Sequence, residues 1–510
     1  MLEDRRIQVF VLASLCVLYT AVRLWGLTDS CLWFDELFSV HAAEHAWNSL
    51  PWFVALDLIH PPLFYILLKL WIAIGGESLL WLRLFPVLFS VIALIPFLLL
   101  CRELRFPTWT TAFALFLFAV SGSMIRSAQF VRMYSLLMCI SLFSIWLFAR
   151  YFNRGVGLVL LALVNIILVY THYYGWLVLA AQVIVVLIFQ RVNWRRMMLM
   201  VGVVIASFIP WLVTVFQAAR SGSDIVQNIA WQAKPGIREL FAFMIDLVEP
   251  FYYQASNVDA ASVYPVSIPL IVVIAMTIPL YVIEWRQEER KLSVQLLVIF
   301  FAVPFSISFV ASWILPYSVW GTRHLIMIFP VAMILIANAV QGFPVRAVRY
   351  AVVSLIIGLS AIGLVAEARR ETPEYPWCEW EKVADEIRKS ELNGEQPEKI
   401  LTFENLVAYH MWFALRDTDR FRVGVVKGVD VLTDDETYFL PRGFDKVYRQ
   451  SIDDIEEETL WLAFRTPRPT DYPKLIGAFE QRGYKVCYPY VKGFGPTTVF
   501  WVQMSRGTCG

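Results

Sequence analysis

The sequence predicts a polytopic α-helical membrane protein with about eleven spans, followed by a small C-terminal α/β domain, and two observations carry that expectation. The 510 residues are 58% hydrophobic and 15% aromatic, with a mean hydropathy of +0.60, a profile that only a membrane protein carries without aggregating. The apolar residues also fall into separate runs of spanning length until the composition shifts near Glu367, after which charged and apolar residues mix as in a soluble domain. Net charge is +1, so no global field attracts nucleic acid, and no block of like charge marks an interaction tail.

Two arginines precede the first apolar run, 7–27, in the manner of a signal peptide. Residues 18–30 lack a small-x-small cleavage site and the run is long enough to span, so a retained helix is expected. Further spans are expected at 79–101, 107–124, 133–149, 155–171, 173–190, 197–219, 263–285, 292–315, 323–341 and 350–366. The stretch His60 to Gly75 is apolar but opens on Pro61-Pro62 and is short, which suits a re-entrant or interfacial helix. Lys/Arg placement agrees. If that stretch does not cross, Arg5/Arg6, Arg102/Arg105, Arg150/Arg154, Arg191/Arg195/Arg196, Arg286/Arg290/Lys291 and Arg346/Arg349 all fall on one side. The positive-inside rule makes that side the cytoplasm. The expected setting is a plasma (inner) membrane, with the N-terminus cytoplasmic.

The opposite, periplasmic face receives the first external loop 28–78, a long loop 220–262, the segment Pro316 to His324 and the tail from 367. The expected domains are therefore 1–366 in the membrane and 367–510 outside. Within the tail, Lys399 to Phe403, Arg422 to Val426, Thr459 to Phe464 and Thr497 to Val502 read as strands. Asn405 to Leu415 and Tyr472 to Gly483 read as helices. The loop 220–262, with Trp231, Lys234, Arg238, Asp246, Glu249, Tyr252 and Tyr253, is long enough for a lid, and an ordinary interfacial helix fits it equally. Of seven cysteines, Cys16, Cys101 and Cys139 read as buried apolar residues, while Cys31, Cys378, Cys487 and Cys509 lie outside. A Cys487 to Cys509 disulfide suits an oxidising compartment, and no spacing suits a structural zinc.

The polar residues of the external face are the candidates for chemistry. Asp35 and Glu36 stand just past the first span, with His41, Glu44, His45, Asp57 and His60 among aromatics Trp33, Phe34, Phe38, Trp47, Trp52 and Phe53. Apolar 34, 37, 38 and 40 beside acidic 35, 36 and 44 predict an interfacial helix with its apolar side in lipid. A carboxylate pair there is a solvated turn or a general base. Four arginines share the face, Arg83, Arg126, Arg132 and Arg323, together with Tyr134, His172, Tyr173, Tyr174 and His324. One arginine near a span snorkels to headgroups; four with these partners suit an anion pocket, because guanidinium matches phosphate in bidentate geometry. Histidine and carboxylate sets also bind divalent ions, but nothing in this spacing demands one, so no cofactor is required.

Six motifs occur in order within roughly the first 330 residues. They are Trp-Phe-Asp35-Glu36-x-x-Ser39, His60-Pro61-Pro62-Leu-Phe-Tyr-Ile-Leu-Leu-Lys-Leu-Trp71, Leu82-Arg83-Leu-Phe-Pro86, Ala128-Gln129-x-x-Arg132-Met-Tyr134, Thr171-His172-Tyr173-Tyr174-Gly175 and Arg323-His324-Leu. Together they resemble the protein mannosyltransferase-like branch (glycosyltransferase family 39) of the C-type glycosyltransferases. The resemblance implies a membrane enzyme moving a sugar from a polyprenyl-phosphate donor to a glycan, lipid or protein acceptor on the outer face, with inversion. It also implies Asp35 as base, Glu36 as its support, Arg83, Arg132, Tyr134 and Arg323 at the donor phosphate, and Asp57, His60, His172, Tyr173 and His324 lining the cavity. Two departures stand out. Phe130 and Val131 replace a common acidic position, and Asp57 precedes His60 by three residues rather than two. The competing readings are a transporter or flippase of an anionic lipid, and a scaffold anchored by its membrane part. A transporter places ionisable groups near the midplane, whereas these gather at outer helix ends.

Overall fold

In the computed structural model the described residues are 2–222, 232–251, 266–275, 288–343, 345–369, 374–389, 398–429, 439–466, 472–494 and 497–509. The first twelve helices are α1 (Leu2–Leu24), α2 (Phe34–Glu44), α3 (Leu50–Asp57), α4 (Leu63–Gly75), α5 (Leu79–Ile92), α6 (Leu94–Glu103), α7 (Thr108–Val120), α8 (Gly122–Gln129), α9 (Tyr134–Arg154), α10 (Leu158–Thr171), α11 (Gly175–Phe189) and α12 (Trp194–Arg220). Seven described segments are long and apolar enough to cross a membrane: Arg5–Leu24, Leu79–Glu103, Tyr134–Arg154, Trp194–Arg220, Lys291–Ile314, His324–Gln341 and Arg346–Ala368. The chain is a multi-span helical membrane protein. At the runs 107–124, 155–171 and 173–190 the helices are shorter, as are α4 and Val266–Ala275. The remainder of the 263–285 run lies outside the described residues.

The chain divides into two units, Met1–Thr28 with Ala43–Glu371, and Asp29–Ala42 with Thr372–Gly510. The segment bearing Asp35 and Glu36 groups with the C-terminal residues. In the first unit His324–Gln341 and Tyr134–Arg154 are central, with 89% and 78% of their spanning windows buried, against 17% for Arg5–Leu24 and Arg346–Ala368. The peripheral helices therefore present apolar side chains such as Phe10, Leu199 and Ile362 outward, as lipid contact requires. Backbone groups in hydrocarbon must be satisfied internally, and two polar clusters pin the helices to one another. Ser144 donates to Asn165 Oδ1 (2.6 Å), Asn165 to Gln182 Oε1 (2.9 Å) and Gln182 to Ser144 Oγ (2.7 Å), closing a buried ring across α9, α10 and α11. Arg23, fully buried near the end of α1, donates to the carbonyls of Phe118 and Ala119 at 3.1 Å each. A guanidinium is thereby matched to the negative end of α7.

The second unit carries a six-stranded sheet of β1 (Glu398–Thr402), β2 (Phe421–Lys427), β3 (Val447–Ser451), β4 (Thr459–Thr466), β5 (Lys485–Phe494) and β6 (Thr497–Ser505), in the order β3-β2-β1-β4-β6-β5. β3, β2, β1 and β4 run parallel, and β6 pairs antiparallel with β4 and β5. Period-two alternation explains its two cores. Ile400, Val423, Trp461, Val499 and Trp501 face helices Glu379–Lys389 and Asn405–Leu415. Leu401, Leu460, Leu462, Phe500 and Val502 face helix Tyr472–Glu480. Strands β3 and β5, which the sequence does not announce, are the sheet edges. Their residues are largely half-buried or exposed, and β5 contains Pro489, which an edge tolerates.

One expectation is corrected. α2 forms, but its apolar side does not lie in lipid: Phe34 packs edge-on against Tyr409 at 5.2 Å, and Leu37 and Val40 are buried. The helix exchanges lipid contact for an aromatic surface supplied by helix Asn405–Leu415, within its own unit.

Candidate active site

In the first unit a row of imidazoles is built by three helix ends. α3 stops at Asp57, and Leu58, at φ 61°, turns the chain and bonds its N–H back to Ala55 O. Such a backbone is uncommon for a branched residue and is held only by its surroundings. Pro61 and Pro62 then restrict the chain before α4 starts at Leu63. His60 is left buried between them, with Nδ1 3.5 Å from Asp57 Oδ2.

His172 ends α10, bonding its N–H to Leu168 O. Gly175 opens α11 because a Cβ there would lie 2.8 Å from Leu168 O. The tight turn sets the His172 ring 5.3 Å from that of His60. On the other side, His324 begins the turn of 3-10 helix before Phe329–Gln341, with its ring 5.3 Å from His172, 5.2 Å from Tyr174 and 6.1 Å from Tyr134. Gly321 makes room, since a Cβ there would fall 2.7 Å from His324 Nδ1. Three of the chain's six histidines thus form one contiguous row.

The electrostatics at the centre of the row are those of a buried ring beside fixed positive charge. Burial, then the positive fields of His60, Arg132 and Arg323, holds the His172 imidazole well below its ordinary range. Its Nδ1 accepts the Tyr174 N–H at 3.1 Å, so the neutral ring carries its proton on Nε2. Both that Nε2 and His324 Nδ1 are buried and have no hydrogen-bond partner among the described residues. Arg132 is buried and donates to the Tyr65 hydroxyl at 3.3 Å. Arg323 is exposed beside the row. Arg83 is buried on α5 and donates to Leu27 O at 3.4 Å. Tyr173 is half-buried and accepts from Trp211 Nε1 at 3.1 Å. His172 thus lies within the fields of Arg132 and Arg323, charge of the sign that suits an oxyanion or phosphate, whereas the bond of Arg83 goes to Leu27 and does not join it to the row. Among the described residues, no group of three or more His, Cys, Asp or Glu is placed to hold a metal ion.

The described part of the long external loop is docked on this unit. Helix Ile237–Val248 is closed at its start by Glu239, which accepts the Gly236 N–H. At its end Ser123 donates to Asp246 O, Gly122 N–H to Glu249 O, and Phe251 N–H to Val120 O. Burial pushes the Asp246 carboxyl up, opposed by a hydrogen bond from Thr322 and the charge of Arg126. Asp246 thus ties Thr322, the residue before Arg323, to the loop. Residues 223–231 and 252–262, with Trp231, Tyr252 and Tyr253, lie outside the described residues.

Asp35 and Glu36 stand in the second unit, on the first turn of α2, and their environments differ. Glu36 is fully buried and its Oε2 accepts the Trp33 N–H at 2.8 Å, the returning half of a capping box. Asp35 is half-exposed, and its backbone carbonyl accepts from Ser39 Oγ. A buried capping carboxylate holds the helix; a half-exposed one next to it can meet a substrate.

The sequence assigns no role to Tyr65 within its motif or to Arg23, and does not announce the pairing of Cys31 with Cys378. The motif itself signalled the tyrosine. Nothing local signalled the disulfide, whose halves are 347 residues apart. Cys487 and Cys509 pair as their spacing allowed.

No family model matches the chain, and no curated protein matches it. Among solved structures it is similar to ArnT from Cupriavidus metallidurans, both in the apo state (TM-score 0.61, 13% identity, 98% of each chain) and bound to undecaprenyl phosphate (TM-score 0.58, 14% identity, 97% of each chain). A weaker similarity, to the oligosaccharyltransferase of Archaeoglobus fulgidus in a complex with Zn and sulfate, has a TM-score of 0.42 at 14% identity and covers 70% of this chain and 53% of that one. The protein mannosyltransferase-like branch expected from the motifs is not what these comparisons give. They give the fold of ArnT, over nearly the whole of both chains.

Proposed function

We propose that the protein is an integral-membrane glycosyltransferase that moves a sugar from a polyprenyl-phosphate donor to a glycan, lipid or protein acceptor on the extracytoplasmic face. The observation that carries the reading is the buried row His60–His172–His324 beside Arg132 and Arg323 in a membrane fold, a set of groups whose charge suits an anion. ArnT, which shares the fold, binds undecaprenyl phosphate, and that supports a lipid phosphate as the anion here. Two disulfides in the second unit, together with the Lys/Arg pattern of the loops, support an oxidising, extracytoplasmic side.

In this mechanism Asp35 takes the proton of the acceptor hydroxyl as its oxygen attacks the anomeric carbon. The bond from that carbon to the phosphate oxygen breaks, and the electron pair leaves with the polyprenyl phosphate. Arg132, Arg323 and Arg83 stabilise the charge that grows on the leaving phosphate, and the His172 Nε2–H adds a neutral donor. Attack opposite the leaving group inverts the anomeric carbon without a covalent intermediate. Glu36 supports the base by capping its helix. Purified protein offered a panel of polyprenyl-phosphate sugars in lipid nanodiscs tests the proposal by mass spectrometry: sugar transfer or hydrolysis with release of polyprenyl phosphate is expected. Translocation of the intact lipid across proteoliposomes, with the sugar bond unbroken, would replace it with the flippase reading.

A further inference from the structure

We propose that the Cys31–Cys378 disulfide and the Tyr409 hydroxyl are positioning groups for the base: the C-terminal unit is the seat on which Asp35 is held. The inference rests on the reading of Asp35 given above. Asp35 lies on the first turn of α2, the part of a helix whose N–H groups lack intrahelical partners and which frays most readily. The constraints of the second unit are concentrated there.

Four residues before Asp35, Cys31 is bonded to Cys378, just ahead of helix Glu379–Lys389. Two before, Trp33 stands edge-on to Trp377 at 4.4 Å, and one before, Phe34 stands edge-on to Tyr409 at 5.2 Å. One after, Glu36 caps the turn through the Trp33 N–H. Six after, His41 Nδ1 shares a 2.9 Å hydrogen bond with the Tyr409 hydroxyl, its ring lying 4.7 Å from Trp412 and 5.2 Å from Phe444. Tyr409 therefore touches α2 on both sides of Asp35. Between these fixed points the Asp35 carboxylate stands half-exposed.

The second disulfide shows what a merely local staple looks like. Cys487, within β5, and Cys509, just past β6, are 22 residues apart and close a hairpin whose strands are already paired. Cys31 and Cys378 instead join segments 347 residues apart, and they do so at the one irregular stretch that leads into α2. A general base works only within hydrogen-bond reach of its proton, and a displacement of about 1 Å costs about 100-fold in rate. Rigid support close to such a carboxylate acts on turnover rather than on donor binding.

The test uses the full chain in nanodiscs, with kcat and donor KM read from released polyprenyl phosphate. Cys31→Ser with Cys378→Ser is expected to lower kcat about 10- to 100-fold with donor KM within about twofold. Tyr409→Phe, which removes the hydroxyl that bonds His41 and keeps the ring, is expected to lower kcat about 3- to 10-fold in the same pattern. Cys487→Ser with Cys509→Ser is expected to leave both constants unchanged. Should the Cys31/Cys378 variant fail to fold, reducing agent applied to the folded Cys487/Cys509 variant breaks the remaining bond and carries the same expectation. Wild-type kcat in both the Tyr409→Phe protein and the protein lacking the Cys31–Cys378 bond would overturn the inference, as would a raised donor KM at constant kcat. Asp35→Asn separates the two failures: if it keeps wild-type kcat the base assignment falls, whereas if it is inactive while those variants turn over normally, only the positioning inference falls.

Discussion

Arg132→Ala probes the anion site most sharply. The side chain is 4% exposed and donates to the Tyr65 hydroxyl, and its charge helps to hold His172 neutral. A charge-assisted hydrogen bond contributes about 1.5–3 kcal/mol, and about 1.4 kcal/mol is a factor of ten in affinity. Loss of this one guanidinium should therefore weaken binding of undecaprenyl phosphate about 10- to 100-fold. Because the group is buried, salt should screen the effect little. Arg132→Lys restores the charge but not the planar fork, so it should recover only part of the loss. Dissociation constants measured by native mass spectrometry in nanodiscs, alongside thermal unfolding to confirm folding, give the answer. A folded Arg132→Ala protein with wild-type affinity would refute the placement of the phosphate beside the histidine row.

Two further outcomes concern stability. His410 is buried neutral, its imidazole pushed down to about 3 by burial and by the Arg465 charge. Below its ordinary value of 6.5 the unfolded chain takes up a proton that the folded one refuses until about pH 3, so stability present above pH 6.5 is lost as pH falls through that window. The slope is about 1.4 kcal/mol per pH unit, and His410→Leu should flatten it in unfolding measurements on the full chain between pH 7.5 and 5. Asn165→Leu opens the Ser144–Asn165–Gln182 ring and strands two buried partners, which should cost about 1–3 kcal/mol in thermal unfolding and leave the affinity for undecaprenyl phosphate unchanged.

What the chain reveals by inspection follows the range of the forces involved. Helix Asn405–Leu415 and strands β1, β2, β4 and β6 are legible because burial on both faces leaves short, nearly continuous apolar runs in the sequence. Helix Glu379–Lys389 carries a different signal, an amphipathic period with apolar Trp380, Val383, Ala384 and Ile387 among charged residues. Edge strands β3 and β5 are not legible, since so few of their residues are buried that no apolar run is required of them. His60, His172 and His324 stand in three separate motifs, and only tertiary packing shows that they form one row. The Asp35-Glu36 pair reads as two equivalent acids in the sequence, and only the Trp33 N–H bond and the difference in burial separate them. The aromatic seat under α2 depends on residues nearly 370 positions away, beyond any local pattern.

Turnover of Asp35→Asn with a polyprenyl-phosphate sugar tests the central claim most directly, measured as single-turnover release of polyprenyl phosphate by protein that binds undecaprenyl phosphate normally. The amide keeps the size of the side chain and removes its capacity to take a proton. The account requires that transfer be abolished while the dissociation constant for the lipid phosphate stays within about twofold of wild type. Wild-type transfer by Asp35→Asn would contradict it.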